Sequence, residues 1–204
     1  AVIKRVGAAC RDGRQAYWVC TAIEESDSLH MEAATATLET LSAALPGVAI
    51  GLVHGKLKPA DKASVMAQFK AGTLQLLVAT TVIEVGVDVP KASLMIIDNA
   101  ERLGLAQLHQ LRGRVGRGAI ESHCVLLFRP PLSITAQERL KVMQDTHDGF
   151  VIAEADLRIR GPGELLGTRQ TGLAQFRVAR LPEHEGLLIR AHDIAQQLHQ
   201  HDVA

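Results

Sequence analysis

Short apolar runs alternate along the chain with longer stretches whose apolar residues recur at helical spacing. Residues 15–21 ("QAYWVCT") are an apolar run rich in strand-forming residues. From Leu29 to Leu45 the residues Ala33, Ala34, Leu38, Leu41 and Leu45 return at the spacing of one helical side, and Pro46 and Gly47 end the helix. The alternation continues with a strand at 48–55 ("VAIGLVHG"), a helix from Pro59 to about Lys70, and strands at 74–80 ("LQLLVAT") and 92–99 ("ASLMIIDN"). A helical stretch around Leu105 to Leu111 and a strand at 122–128 ("SHCVLLF") follow. Strands separated by helices need crossover connections, which predicts a parallel sheet.

Composition strengthens that expectation. Hydrophobic residues make up 47% of the 204 and aromatics only 3%, so the core must be built from Ala, Val, Leu and Ile, as buried parallel strands flanked by helices usually are. The expected architecture is α/β, a doubly wound parallel sheet over residues 1–132, with functional loops outside the carboxyl ends of the strands. Candidate loops are "HGKL" (54–57), "TTVIEVGVD" (80–88), "NAERLG" (99–104) and "QLRGRVGRG" (110–118).

From about Ser133 the pattern changes. Two helical stretches, "ITAQERLKVMQD" and "FVIAEADLRIR", precede the glycine-rich "GPGELLGTRQTG", an appendage expected to span 133–180. The tail, 181–204, has helical spacing at Leu187, Leu188, Ala191, Ile194 and Leu198 and a polar end without a capping Gly or Asn.

The formal net charge is zero, so a polyanion must be met by local clusters of Arg and Lys rather than by a global field. Cys10, Cys20 and Cys124 form no C-x-x-C pair and fit neither a zinc site nor a disulfide framework, which points to a reducing cytoplasm. No apolar run reaches membrane-spanning length. The opening "AVIKRVGAAC" has neither an initiator Met nor a signal-peptide pattern, as expected of a piece of a longer chain.

The chemistry concentrates in "QLRGRVGRG". Arg114 and Arg117 are three apart, so on a helical turn they share a side and can converge on one anion with planar, permanently charged forks. Gly113 and Gly116 let phosphate or backbone approach closely. An R-x-x-R pair alone reads as a solvated basic turn, but Gln110 extends it to Q-x-x-G-R-x-G-R.

That pattern resembles motif VI of superfamily 2 helicases. The resemblance implies that Gln110 faces the nucleotide side of a cleft and that Arg114 and Arg117 act as arginine fingers on a transferring γ-phosphoryl group. Such fingers change rates by about 10³ to 10⁵. Upstream, "LVATTVIEVGVDVP" looks like motif V. It implies that Thr80 or Thr81 holds a nucleic-acid phosphate, while Gly86 and Asp88 border the ATP site. The preceding "GLVHGKLKPADKASVMAQFKAG" resembles the strand, loop and helix before motif V, where His54, Gly55 and Lys58 would meet a phosphate backbone. Lys56, Lys58 and Lys62 read equally well as a solvated surface.

The segment "GFVIAEADLRIRGPGELLGTRQTG" resembles the translocation motif after the second motor domain in RecG and in the transcription-repair coupling factor. The resemblance implies that Arg158 and Arg160 tie a helical hairpin to the motor and that Arg169 and Gln170 lie in the loop that moves DNA. Together with "QAYWVCTAIEES" and "ERLGLAQLHQLRGRVGRG", it makes the chain similar to RecG-type helicases as far as about Val178.

What this implies is the second RecA-like motor domain (a P-loop NTPase-like helicase C-terminal domain), followed by the helical hairpin. By the resemblance it would belong to an ATP-dependent double-stranded DNA translocase that drives branch migration and regression of stalled replication forks and Holliday junctions, in DNA repair and recombination. The implied partners are branched double-stranded DNA and the wedge and first motor domains of the same longer protein, in the bacterial cytoplasm at the nucleoid. ATP and Mg²⁺ would be held mainly by the first motor domain. The sequence has no G-x-x-x-x-G-K-[ST] loop and no D-E-x-H box, so on its own the chain is expected not to hydrolyse ATP. Two alternatives stand beside this reading: the motor of the coupling factor, and a non-enzymatic DNA-binding module whose arginines only grip phosphates.

Overall fold

The computed structural model of the chain describes residues 1–21, 27–80, 89, 91–116, 121–160, 190 and 194. They fall into two compact units, Ala1–Ile152 and Ala153–Ala204.

The first unit is built on five strands: β1 (Gln15–Cys20), β2 (Ile50–Val53), β3 (Leu76–Thr80), β4 (Ala92–Asp98) and β5 (His123–Leu126). Their order across the sheet is β2-β3-β1-β4-β5, and every neighbouring pair is parallel. The helices are α1 (Val2–Arg11), α2 (Asp27–Ala44), α3 (Pro59–Ala71), α4 (Leu105–Arg112), α5 (Ile134–Asp145) and α6 (Gly149–Arg160), with a 3-10 turn at Ala100–Arg102. The boundary between the units falls within α6.

Helices cover both sides of the sheet. Ala16, Trp18 and Cys20 of β1 pack with Val6 and Cys10 of α1 and with Ala34, Leu41 and Leu45 of α2. On the other side Tyr17 meets Phe69 of α3 edge to face, ring centroids 4.9 Å apart. All six residues of β1 and all five of β3 are buried, so these strands lack polar alternation and read as continuous apolar runs. This is the doubly wound arrangement expected from the sequence.

Local signals set the helix ends. Pro59 opens α3, where its missing N–H costs nothing, and Gly72 closes it at φ 84°. Ser133 caps α5 by accepting a hydrogen bond from the Ala136 amide at 3.1 Å. Gln15, 2% exposed, donates from Nε2 to the carbonyls of Phe69 at 2.5 Å and Leu74 at 2.7 Å, fastening the end of α3 to the start of β1.

The structure departs from the sequence expectation in two places, the edge strands and the first helix. The edge strands are shorter than 48–55 and 122–128, because an edge strand has a single neighbour and its ladder ends where that neighbour's pairing ends. Helix α1 was not expected, although Val2, Val6, Ala9 and Cys10 carry helical spacing. The expected tail helix lies outside the described residues apart from Arg190 and Ile194, both helical. Among the described residues no helix is long and apolar enough to cross a membrane.

Candidate functional site

Because all five strands are parallel, their carboxyl ends share one edge of the sheet. β2 and β3 are neighbours there, so the turn after β2 lies beside the end of β3. The turn closes through a hydrogen bond from the Leu57 amide to the His54 carbonyl at 3.2 Å. Gly55 and Lys58 are exposed, and Lys58 stands at the N-cap of α3 without a side-chain cap, leaving the first-turn amides open to an anion. His54 is half-buried, and its Nδ1 is buried with no hydrogen-bond partner.

Thr80 is 4% exposed at the last rung of the sheet, paired with Cys20. The other residues expected in this region, Thr81, Gly86 and Asp88, lie outside the described residues.

Between β1 and β4 the chain departs in opposite directions, toward β2 and toward β5, which is where doubly wound sheets open a crevice. In this chain the crevice is bridged. Thr21 Oγ1 shares its proton between the carbonyls of Asp98 at 2.7 Å and Asn99 at 3.2 Å, and Asn99 Nδ2 donates back to the Thr21 carbonyl at 3.3 Å. Asn99 has φ 49°, the one positive φ outside glycine among the described residues, a conformation that Asn tolerates better than most.

From Asn99 the chain makes the 3-10 turn and enters α4, where Gln107 Oε1 accepts from the Gly104 amide at 3.0 Å. Leu105, Leu108 and Leu111 are buried and seat the helix. Gln110 is exposed on its last turn. Arg114, half-buried, lies in the turn that follows, whose amides reach back from Gly113 to the His109 carbonyl and from Arg114 to the Leu111 carbonyl, both at 3.0 Å. Gly116 has φ 84°, and a Cβ there would stand 2.5 Å from Ser122 Oγ, so any other residue would be strained in its backbone and would have to displace that hydroxyl. Arg117 lies outside the described residues.

The candidate residues therefore form two sets. His54, Gly55, Lys58 and Thr80 follow the carboxyl ends of β2 and β3. Gln110 and Arg114 stand at the far end of α4, on the approach to the amino end of β5, and not outside a carboxyl end as expected. The reason is that α4 is itself part of the crossover from β4 to β5 and carries the chain back across the sheet.

Two arginines that the sequence reading did not single out fasten α5 to this region. Arg112 Nη1 donates to the carbonyls of Met143 at 3.0 Å and Thr146 at 2.8 Å, at the carboxyl end of α5. Arg139 Nη2 donates to the Glu101 carbonyl at 2.9 Å. Desolvation lowers the pKa of Arg112, and the neighbouring Cys124 thiol, pushed up to about 11 by burial, faces it. The residues expected to tie the hairpin were Arg158 and Arg160. Arg158 is exposed on α6, the side chain of Arg160 is outside the described residues, and so are Arg169 and Gln170.

Residues 2–119, more than half of the chain, match the model of the helicase conserved C-terminal domain. The chain belongs to that family. Residues 146–204 match a second model, ATP-dependent DNA helicase RecG, domain 3, C-terminal. The chain is 65% identical over 200 residues to the ATP-dependent DNA helicase RecG of Escherichia coli (strain K12), covering 98% of this chain and 29% of that protein. Against RecG of Bacillus subtilis (strain 168) the identity is 49% over 170 residues, covering 83% and 25%. The chain thus spans under a third of the length of these curated relatives. A solved structure of RecG bound to a three-way DNA junction matches with TM-score 0.69 and 44% identity, over 92% of this chain and 24% of that one. The RecG resemblance and the RecA-like fold read from the sequence are both borne out.

Proposed function

We propose that the chain is the second motor domain, with its translocation hairpin, of a longer ATP-dependent DNA helicase that acts on branched double-stranded DNA. The observation that carries this reading is the similarity to RecG along both the parallel-sheet unit and residues 146–204, with Q-x-x-G-R-x-G-R at the end of α4. Its domains divide as a motor over 1–132, a hairpin and loop over 133–180 and a tail over 181–204.

ATP is the substrate to be accommodated. The groups on this chain that suit a triphosphate are cations and amides: Arg114 and Arg117 for the γ-phosphoryl group, with Gln110 beside them and Gly86 and Asp88 bordering the site. Among the described residues there is no cluster of three or more His, Cys, Asp or Glu that could hold a metal ion. Mg²⁺ and the β- and γ-phosphates are assigned to a Lys-bearing loop and carboxylate elsewhere in the longer protein, because the sequence has no G-x-x-x-x-G-K-[ST] loop and no D-E-x-H box. Closing the cleft brings the arginines of this domain to the phosphate, and opening it after hydrolysis releases them.

The DNA contacts are assigned to His54, Gly55, Lys58 and the threonine pair Thr80 and Thr81, and the conversion of cleft motion into movement along duplex to Arg158, Arg160, Arg169 and Gln170. Branch migration of forks and Holliday junctions, in the bacterial cytoplasm, is the activity that follows. The match of residues 146–204 to the RecG model favours this over the coupling-factor motor.

The test is DNA-stimulated ATP hydrolysis by the full-length protein carrying Arg117→Ala, with fork binding measured alongside. Hydrolysis that collapses while binding persists supports the motor reading. Unchanged hydrolysis reduces the arginine turn to a basic loop and refutes it.

A further inference from the structure

Three features meet at Asn99. It is the residue at which the chain leaves β4, its backbone is left-handed at φ 49°, and it is 8% exposed although polar. The Thr21 hydroxyl holds the backbone carbonyls of Asp98 and Asn99, and the Asn99 amide holds the carbonyl of Thr21. The next residue is tied as well, since the Ala100 amide donates to the Leu127 carbonyl just past β5 at 2.8 Å. The start of the path to α4 is thus pinned to the ends of two other strands, β1 and β5.

From there the path is stiff. The 3-10 turn is closed by the Arg102 amide on the Asn99 carbonyl at 3.1 Å, and α4 lies on three buried leucines. Its far end carries Gln110 and leads directly into Arg114. The two extended residues that join the 3-10 turn to α4 are held as well, Leu103 by burial and Gly104 by its amide's hydrogen bond to Gln107 Oε1, so a twist of the backbone at Asn99 is passed along α4 toward the arginine turn.

We propose that Asn99, locked to Thr21, is a positioning residue that sets the angle of α4 and so the placement of the arginine turn for hydrolysis. This rests on the motor reading above. Asn serves because it is the side chain that both tolerates the left-handed backbone and donates across to Thr21. Alanine opposes the left-handed conformation and loses the amide. Glycine keeps the conformation, and with it both bonds from Thr21 to the backbone carbonyls. Thr21→Val deletes the hydroxyl while nearly keeping the shape.

The experiment uses the full-length protein, with kcat and KM for ATP, the dissociation constant for a forked duplex and the unfolding midpoint measured for each variant. Asn99→Ala and Thr21→Val are each expected to lower kcat on the order of tenfold or more, as misplaced catalytic groups do, with KM and fork affinity unchanged. Asn99→Gly is expected to recover most of the rate, and the Asn99→Ala/Thr21→Val pair to be little worse than Asn99→Ala alone. A lower unfolding midpoint with normal kcat well below that midpoint would mean a merely structural lock and overturn the proposal, as would equal losses in Asn99→Ala and Asn99→Gly. Should Asn99→Ala not fold, Thr21→Val alone decides. Arg117→Ala, run in parallel, separates the two readings: if it abolishes hydrolysis and the lock variants do not slow it, only the lock has failed; if it leaves hydrolysis intact, the motor reading fails and the proposal falls with it.

Discussion

Replacing Arg112 by Met keeps the apolar stem of the side chain and removes the guanidinium. Two hydrogen bonds are lost, to the carbonyls of Met143 at 3.0 Å and Thr146 at 2.8 Å. A hydrogen bond from a charged donor contributes about 1.5–3 kcal/mol when well protected. Arg112 and Thr146 are only half-buried, so water recovers part of each bond, and about 1 kcal/mol apiece is the better figure. The cation also faces the negative end of the α5 dipole, adding a few tenths of a kcal/mol. The sum is about 2 kcal/mol, which for a unit of this size lowers the unfolding midpoint by about 4–8 °C.

Thermal unfolding followed by far-ultraviolet circular dichroism measures the shift. Hydrogen exchange locates it, since faster exchange is expected in the last turn of α5. Arg112→Lys should fall between, because both bonds come from Nη1 and the more strongly hydrated lysine ammonium, on a stem of different reach, recovers them only in part. If Arg112→Met melts with the unsubstituted chain and α5 exchanges no faster, the two bonds do not fasten α5 and the reasoning is wrong.

Gly116→Ala combines a left-handed backbone with a Cβ placed 2.5 Å from Ser122 Oγ, so it is expected to destabilise the chain by about 1–2 kcal/mol; Ser122→Ala should relieve the clash and restore part of the loss, and a urea midpoint unchanged by Gly116→Ala would refute the geometry. The buried thiols of Cys10 and Cys20 are pushed from 9.0 up to about 11, chiefly by desolvation. An unfolded thiol ionises first as pH rises, so the folded chain binds more protons between those values, and stability is intact below about pH 9 and falls toward about pH 11. Denaturant midpoints that stay level across that window would contradict the burial, as would rapid alkylation of Cys10 or Cys20 in the native chain below it.

The central strands were legible because burial on both sides forces continuous apolar runs, and β1, β3 and β4 have them. The edge strands were overestimated because apolar residues such as Val48 and Phe128 continue past the last paired rung. At the site, Gln110 and Arg114 were legible as side-chain types at fixed spacing. The Thr21–Asn99 lock and the two arginines that hold α5 were not. Each acts on backbone carbonyls, which every residue has, so the acceptor carries no signature in the sequence. Their partners are also distant, from 31 positions for Arg112 to Met143 up to 78 for Thr21 to Asn99, and only the folded sheet brings them together.

These same contacts decide how the arginine turn can move. At eight residues, α4 is about 12 Å long. Its approach is fixed to β1 through Asn99, and its last residue is fixed to α5 through Arg112. Arg139 adds a second tie between α5 and the 3-10 turn at Glu101. A displacement of the end of α4 relative to the sheet must therefore either break the Arg112 bonds or carry the end of α5 with it. Breaking them exposes two carbonyls at a cost of about 2 kcal/mol, and moving α5 together with α4 keeps those two bonds but must slide the buried Leu105, Leu108 and Leu111 against the sheet. The Arg112 bonds therefore couple the end of α4 to the end of α5, and with Asn99 locked at the other end of the path they disfavour a shift of the arginine turn by itself.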